Sequence, residues 1–263
     1  MITECRLCGS HELQLWVTDG HHRNLNYYRC RQCELWNYDL SLGLDQAQYT
    51  NIYVSPRDRE HKSNIHNAAT WEYLSKRLPA TGSMLDIGCG NGSLLYIARA
   101  SGWQVSGLEL SPETVASVRG DTGLDVVAGD FPGDELPARK SHDLVVLRHV
   151  LEHLPDSIGA MDQINALLKH GGYALLEFPN TRSASYRYKR WLKNHGLNNR
   201  KYSEDWRPGH CNEFCRKAFE YLLSQTGFEL THWSTYSNKP LANVIYRVVP
   251  IGSNARALIR KVA

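Results

Sequence analysis

The segment Leu85-Asp86-Ile87-Gly88-Cys89-Gly90-Asn91-Gly92 constrains this chain more than any other. An apolar run enters three alternating glycines, and an apolar-striped segment leaves them. Such a strand-to-helix turn needs glycine where φ is positive or where a ligand comes close to the backbone, and the following helix offers a favourable field for an anion at its first turn. Alone, a Gly-x-Gly turn is weak, because any tight turn between a strand and a helix can use it. Its surroundings decide what it means.

Those surroundings alternate short apolar strands with amphipathic helices, the pattern of a parallel, doubly wound α/β sheet. Strands are expected at 84–87, 104–108, 125–128, 143–147 and 173–178. Helices are expected at 93–100, stopped by Gly102, and at 112–119, opened by Pro112. A third carries the stripe Met161, Ile164, Leu167 and Leu168 and should end at Gly171-Gly172. The C-terminal part reads as a helix at 217–225 and two closing strands at 227–235 and 244–249, for a mostly parallel seven-stranded sheet.

With 263 residues, 42% of them hydrophobic, the chain can bury one full-sized core and a small appendage. A net charge of +3 is too mild to impose a nucleic-acid or membrane role. The N-terminus has no basic region followed by an apolar run, and no segment reaches bilayer-spanning length, so a soluble cytoplasmic protein is expected. The organisation predicted is a metal-binding module at 1–40, a helical linker or lid at 41–78 with the stripe Trp71, Leu74, Leu78, and a main domain at 79–263 with an inserted lid at about 180–212.

Glu109 lies seventeen residues past Gly92, directly after the apolar run 105–108, where an acid can accept hydrogen bonds from both hydroxyls of a ribose. That placement also fits a nicotinamide cofactor. The residues that discriminate are Asp86, Gly129-Asp130-Phe131, and the stretch from Leu147 through Arg148, His149, Glu152 and His153 to Asp156. Together they resemble the Rossmann-like (class I) methyltransferase superfamily, in particular its small-molecule branch, over roughly residues 71–249. The resemblance implies S-adenosylmethionine as methyl donor and S-adenosylhomocysteine as product. It implies that Asp86, Gly88, Cys89, Gly90, Asn91 and Gly92 form the seat of the methionine part and that Glu109, with Leu110 beside it, holds the ribose. Asp130 and Phe131 would meet the adenine, and Arg148 and His149 would pass over the sulfonium side.

Seven cysteines are an odd number, and four are paired as Cys5-x-x-Cys8 and Cys30-x-x-Cys33. Two such knuckles separated by twenty-one residues suit a structural, four-thiolate Zn2+ site in a segment too small to fold on apolar burial. His11, His21 and His22 are possible replacement ligands. Cys211-x-x-x-Cys215 lacks a third cysteine for an iron–sulfur cluster, and Cys89 reads as a small apolar residue. A knuckle pair ahead of such a domain looks like an arrangement of sugar and natural-product methyltransferases, which implies a role for Tyr49 and Tyr53 as an aromatic lid; packing of a linker explains them equally well.

Methyl transfer to a weakly acidic nucleophile needs a base, and His210, His149 and His153 are the histidines placed for it, His210 first because its loop precedes the last helix. His149 and His153 share a face if their turn is helical, with Glu152 elsewhere. In the lid, Arg182, Tyr186, Arg187, Tyr188, Lys189, Arg190, Trp191 and Lys193 interleave basic and aromatic types, which can grip phosphate and stack on a ring. This points to an anionic or sugar-like small acceptor such as a nucleotide-linked sugar. Arg148-His149 stands where magnesium-dependent catechol enzymes carry acids, and no Asn-Pro-Pro-Tyr-like motif follows the fourth strand. The rival readings are an RNA methyltransferase, with a basic stripe from Arg23, Arg29 and Arg31 to the lid, and a non-catalytic scaffold that binds partners through the zinc module.

Overall fold

The computed structural model describes residues 2–17, 26–45, 53–58, 60–133, 141–197, 207–238, 240–246 and 248–262. His21, His22, Arg23, Tyr49 and the side chain of Lys193 fall outside the described residues. In chain order the strands are β1 (Leu13–Val17), β2 (Tyr27–Cys30), β3 (Trp36–Tyr38), β4 (Ser83–Ile87), β5 (Gln104–Glu109), β6 (Val126–Ala128), β7 (His142–Arg148), β8 (Leu168–Pro179), β9 (Asn212–Glu213), β10 (Phe228–Tyr236) and β11 (Asn254–Lys261). The helices are α1 (Lys62–Ser75), α2 (Ser93–Ala100), α3 (Pro112–Thr122), α4 (Ser157–Leu167), α5 (Ala184–Asn194), α6 (Arg216–Ser224) and α7 (Pro240–Tyr246). One sheet has the order β1-β2-β3-β9, and a seven-stranded sheet has the order β10-β11-β8-β7-β4-β5-β6. This is the Rossmann-like α/β fold the sequence predicts. Among the described residues no helix is long and apolar enough to cross a membrane.

The chain divides into two compact units that interleave along the sequence. The first comprises Met1–Gln48, His149–Met161 and Leu176–Ile259; the second comprises Tyr49–Arg148, Asp162–Leu175 and Arg260–Ala263.

In the second unit β4 pairs in parallel with both β5 and β7, and β5 with β6. Met84, Leu85 and Ile87 of β4 and Val145, Val146 and Leu147 of β7 are fully buried, as continuous apolar runs must be when helices cover both faces. Ser111 caps α3 by accepting the Thr114 N–H at 3.1 Å, Pro112 supplies the preset φ of its first turn, and Gly123 ends it at φ +62°. On α1 the buried face begins polar, with Asn64, Asn67 and Thr70, and ends apolar, with Trp71 and Leu74. Leu78 lies beyond the helix and is only half-buried.

In the first unit β1, β2 and β3 are antiparallel, and β3 takes β9 as its fourth strand, so the knuckle module completes its sheet with residues from far along the chain. Arg6 ties the two together: Nη1 donates to Tyr38 O at 2.8 Å and Nε to Asn212 Oδ1 at 3.3 Å. The N-terminal segment was expected to lack an apolar core. It has a small one, in which Tyr27, Trp36 and Tyr38 pack with Leu40, Leu42, Leu44 and Tyr186.

Two expected boundaries are wrong. Gly171 and Gly172 do not end a helix: α4 stops at Leu167 and β8 begins at once, with the glycines inside the strand. The strand expected at 244–249 is replaced by α7 and the turn after it, with Val244, Ile245 and Val248 exposed. The closing strand is β11, whose Arg256 and Lys261 are buried among apolar neighbours. Lys261 Nζ donates to Asn165 O at 2.7 Å and Leu168 O at 3.1 Å, while Arg256 pairs with Glu177. Paired buried charges hide a strand from any reading based on hydropathy.

Candidate active site

The glycine bend lies in the second unit at the carboxyl ends of β4 and β5. Gly88, Gly90 and Gly92 have φ of +71°, +54° and +71°, so all three need glycine's freedom. The Gly88 and Cys89 amides donate to Leu108 O at 2.8 and 3.1 Å, and Gly92 N–H donates to Cys89 O at 3.0 Å. Gly90 N–H donates to Glu109 Oε2 at 2.8 Å, and Ser111 N–H to Glu109 Oε1 at 3.2 Å. These amides therefore serve the fold, and what the bend offers a ligand is clearance. A Cβ built on Gly90 meets nothing within 4 Å. By contrast, one on Gly92 would reach Val118 Cγ1 at 2.9 Å, and one on Gly107 would reach Leu95 Cδ1 at 2.7 Å and Cys89 Sγ at 2.9 Å. The Cys89 thiol is buried, and burial, reinforced by the charges of Asp86 and Glu109, pushes its pKa well up.

Around the bend, Leu110 is 64% exposed while Phe131 is buried. Asp130 is exposed and its Oδ1 accepts Phe131 N–H at 2.7 Å. Asp86 is buried, with Arg148 Nη2 at 4.0 Å from its Oδ2, and Arg148 Nη1 donates to Asn67 Oδ1. Asn91 Nδ2 donates to Asn64 Oδ1 at 3.0 Å and to Val54 O at 2.8 Å. Sequence reasoning missed Asn64 and Asn67; their signal was a polar pair at i, i+3 in line with the apolar stripe of α1. Tyr53 OH donates to Asp121 Oδ2 at 2.9 Å at the end of α3.

The candidate histidines His149, His153 and His210 lie in the first unit. His149 has the left-handed φ of +57°, uncommon outside glycine, and its N–H donates to Glu177 O at 2.8 Å. Its Nδ1 lies 3.2 Å from Glu152 Oε1; the imidazole is 44% exposed and the carboxylate fully buried. Glu152 was expected to point elsewhere. Glu152 sits on the 3-10 turn Leu151–His153, and His149, left-handed and just before that turn, meets its carboxylate from outside it. Burial pushes the Glu152 pKa up, but the His149 hydrogen bond and the charges of His149, His210 and His153 hold it below the usual value. His210 repeats the spacing, with Nδ1 2.9 Å from Glu213 Oε1, and its pKa is raised: burial lowers it, but the Glu213 bond and charge outweigh that. His153 meets His210 edge to face, with ring centroids 4.7 Å apart. Burial depresses its pKa.

The four knuckle cysteines converge in the first unit, their sulfurs all within 4.8 Å of one another. Cys5 and Cys33 Sγ are 3.5 Å apart, as are Cys8 and Cys30. A tetrahedral ion at the usual Zn–S length sets sulfurs about 3.8 Å apart, so the donor set and spacing fit Zn2+. The Cys5–Cys33 contact lowers the Cys5 thiol and raises that of Cys33, because with no cation between them only one of the two can carry the charge. His11 Nδ1 donates to Thr3 O at 2.9 Å from an exposed position and is not among the converging ligands. Cys211 and Cys215 are buried, and burial raises both thiols.

On α5, Tyr188 and Trp191 are exposed with their rings stacked, and Tyr186 turns inward to meet Trp36 edge-on. In the same unit Glu34 gathers cations: Arg29 Nη2 at 2.9 Å, Lys217 Nζ at 4.0 Å, and Arg182.

A family model described as a methyltransferase domain matches residues 53–233. Among curated proteins the chain is similar to a ubiquinone biosynthesis O-methyltransferase of Xylella fastidiosa (strain 9a5c), 27% identical over 200 residues, or 71% of this chain and 80% of that one. Among solved structures it is similar to a Pyrococcus horikoshii OT3 protein, with a TM-score of 0.59 and 16% identity over 83% of this chain and all of that one. An S-adenosylmethionine-dependent methyltransferase from Archaeoglobus fulgidus matches with a TM-score of 0.55 and 18% identity, over 78% and 96% of the two chains. Identities this low between structures carry the fold and nothing finer.

Proposed function

The chain belongs to the methyltransferase-domain family, and from that premise we propose that it moves a methyl group from S-adenosylmethionine to an oxygen or carbon of a small carbohydrate-like or natural-product acceptor. The observation that carries this reading is Glu109 bonded to the amide of Gly90 beside open space. Each carboxylate oxygen of Glu109 accepts one backbone N–H and keeps a lone pair for a ribose hydroxyl. Gly88 and Gly90 leave the backbone bare where the methionine part would lie, and the exposed Leu110 gives an apolar wall for the adenine. Arg148, fixed by Asn67 with Asp86 nearby, braces the ends of β4 and β7. When bound, the cofactor supplies an electrophilic methyl group on a sulfonium.

His149 is the histidine best suited to take the acceptor's proton. Its Nδ1–H is held by buried Glu152, which fixes the tautomer with Nε2 as the basic nitrogen and stabilises the imidazolium once formed. Its left-handed backbone costs free energy in a residue with a side chain, a cost common at functional positions. Transfer to oxygen is favoured by the similarity to an O-methyltransferase. The four cysteines hold a structural Zn2+ that leaves no coordination place for substrate.

A second reading rests on one observation, the three cations gathered at Glu34. They join Arg29 of the knuckle module to Arg182 of the lid and suit an anionic ligand, either the phosphates of an activated sugar or an RNA backbone. Calorimetry with S-adenosylmethionine, followed by transfer of labelled methyl to a panel of hydroxylated metabolites, nucleotide sugars and folded RNA, tests both. No cofactor binding at millimolar concentration refutes the enzymatic reading. Labelled RNA, bound in a salt-sensitive way, overturns the small-molecule acceptor.

A further inference from the structure

Glu152 and His153 follow one another on the 3-10 turn Leu151–His153, and His210 lies in the loop before β9; all three belong to the first unit. A carboxylate oxygen and one nitrogen from each imidazole lie within 4.8 Å of one another. The Nδ1 contacts assign the tautomers. His153 Nδ1 lies 2.9 Å from Gly209 O, and a carbonyl only accepts, so this nitrogen carries the hydrogen. His210 Nδ1 lies 2.9 Å from the Glu213 carboxylate and donates for the same reason. In the neutral rings coordination then falls to Nε2. An imidazole orientated by Nδ1–H donation to a carbonyl or carboxylate is the usual support behind a metal-bound histidine.

The carboxylate points the same way. Glu152 is fully buried, and while Oε1 meets His149, Oε2 has no hydrogen-bond partner among the described residues. Glu213 Oε2, behind His210, is also buried without one. A buried carboxylate oxygen with no donor and no cation is costly, so native structures rarely keep one without a reason.

We propose that Glu152, His153 and His210 bind a divalent transition-metal ion of the Zn2+, Fe2+ or Co2+ type, at a site separate from the four cysteines. Two imidazoles and one carboxylate suit borderline ions over Mg2+ or Ca2+, which prefer all-oxygen sets, and over the soft ions that four thiolates select. Three protein ligands leave coordination positions open, so the site takes water or an oxygen of a hydroxylated or carboxylated small molecule as its further ligand. His149 stays outside the ligand set, on the other oxygen of Glu152. The proposal goes beyond the methyl-transfer reading and does not depend on it.

The test uses the full chain with its cysteine site loaded with zinc, passed over a chelating resin and titrated with Co2+. One equivalent of cobalt is expected to bind with the weak absorption of a nitrogen and oxygen site and no thiolate charge-transfer band, giving one zinc and one cobalt per chain by elemental analysis. The His153→Gln, His210→Gln double variant should lose cobalt affinity by about a hundredfold or more while keeping its zinc. Should that variant fail to fold, cadmium-113 resonance on the wild-type chain decides, because a sulfur-only ion and a nitrogen and oxygen ion resonate far apart. No second ion, a second ion with thiolate bands, or unchanged affinity in a folded double variant overturns the proposal. Cofactor binding measured alongside reports on methyl transfer separately.

Discussion

The carboxylate of Glu109 accepts the amide hydrogen of Gly90 at 2.8 Å, which pins the acid at the tip of β5 to the bend that follows β4. Glu109→Gln keeps an oxygen to accept that amide but removes the charge. Hydrogen bonds to charged groups contribute about 1.5–3 kcal/mol, so affinity for S-adenosylmethionine should fall by about tenfold or more with an unchanged circular dichroism spectrum. Calorimetry checks it, and undiminished affinity would show that Glu109 does not hold the ribose.

Two glycines of the same region should fail in different ways. An alanine at Gly90 projects its methyl into open space at positive φ, so we expect a stability loss of roughly 1 kcal/mol with a much larger loss of cofactor affinity. At Gly107 the same change presses on Leu95 and Cys89 inside the core, and overpacking of about 1–3 kcal/mol should lower stability first. Denaturant unfolding paired with cofactor titration separates the two; identical behaviour of both variants would contradict the clearance argument.

His149→Ala should lower kcat by about a hundredfold or more while cofactor Kd stays within a few-fold, because general-base loss acts on the chemical step. Glu152→Gln should shift the acid limb of the rate profile towards lower pH, since the imidazolium loses its carboxylate partner. Turnover by His149→Ala at the wild-type rate would remove His149 from the mechanism.

If the four cysteines hold zinc, loss of one sulfur, as in Cys8→Ser, should release about one zinc per chain and lower Tm, since an ion at their centre would organise the sheet that β9 completes. Elemental analysis and thermal unfolding read both effects. Full zinc retention would mean that another residue takes the fourth place.

Asp143 gives a pH signature in the second unit. Burial raises its pKa, but Lys169 Nζ at 2.7 Å and the Ser83 N–H and hydroxyl, both at 2.8 Å, bring it below the ordinary value. A depressed carboxylate contributes stability that is present above its unfolded pKa of about 3.9 and lost as pH falls through the folded one. Asp143→Asn should therefore unfold at a lower temperature than wild type at pH 7, with the gap closing as both are acidified below that range. A gap constant with pH would show that the charge is not what stabilises.

The parts of the site that were legible are those whose physics is local. A glycine bend after an apolar strand, an acid at the next strand tip and two Cys-x-x-Cys knuckles each follow from neighbours in sequence. The His149–Glu152 contact was not legible, because His149 stands before the 3-10 turn in a left-handed conformation that no helical spacing predicts, and the His210–Glu213 contact forms where a loop enters β9. Asn64 and Asn67 escaped because a polar pair on a helix reads as solvated until another element covers it. The last strand escaped because Arg256 and Lys261 look like surface charge, while the apolar 244–249 run looks like core.

Local pattern alone thus determined that this chain alternates strands and helices, bends on glycine and gathers thiolates, since backbone preference and short-range spacing act within a few residues. Only the tertiary structure decided that β9 closes the knuckle sheet, that Glu177 neutralises Arg256 and that His210 comes to rest against His153. Those partners are tens of residues apart, and which of them meet depends on how the whole chain buries its surface.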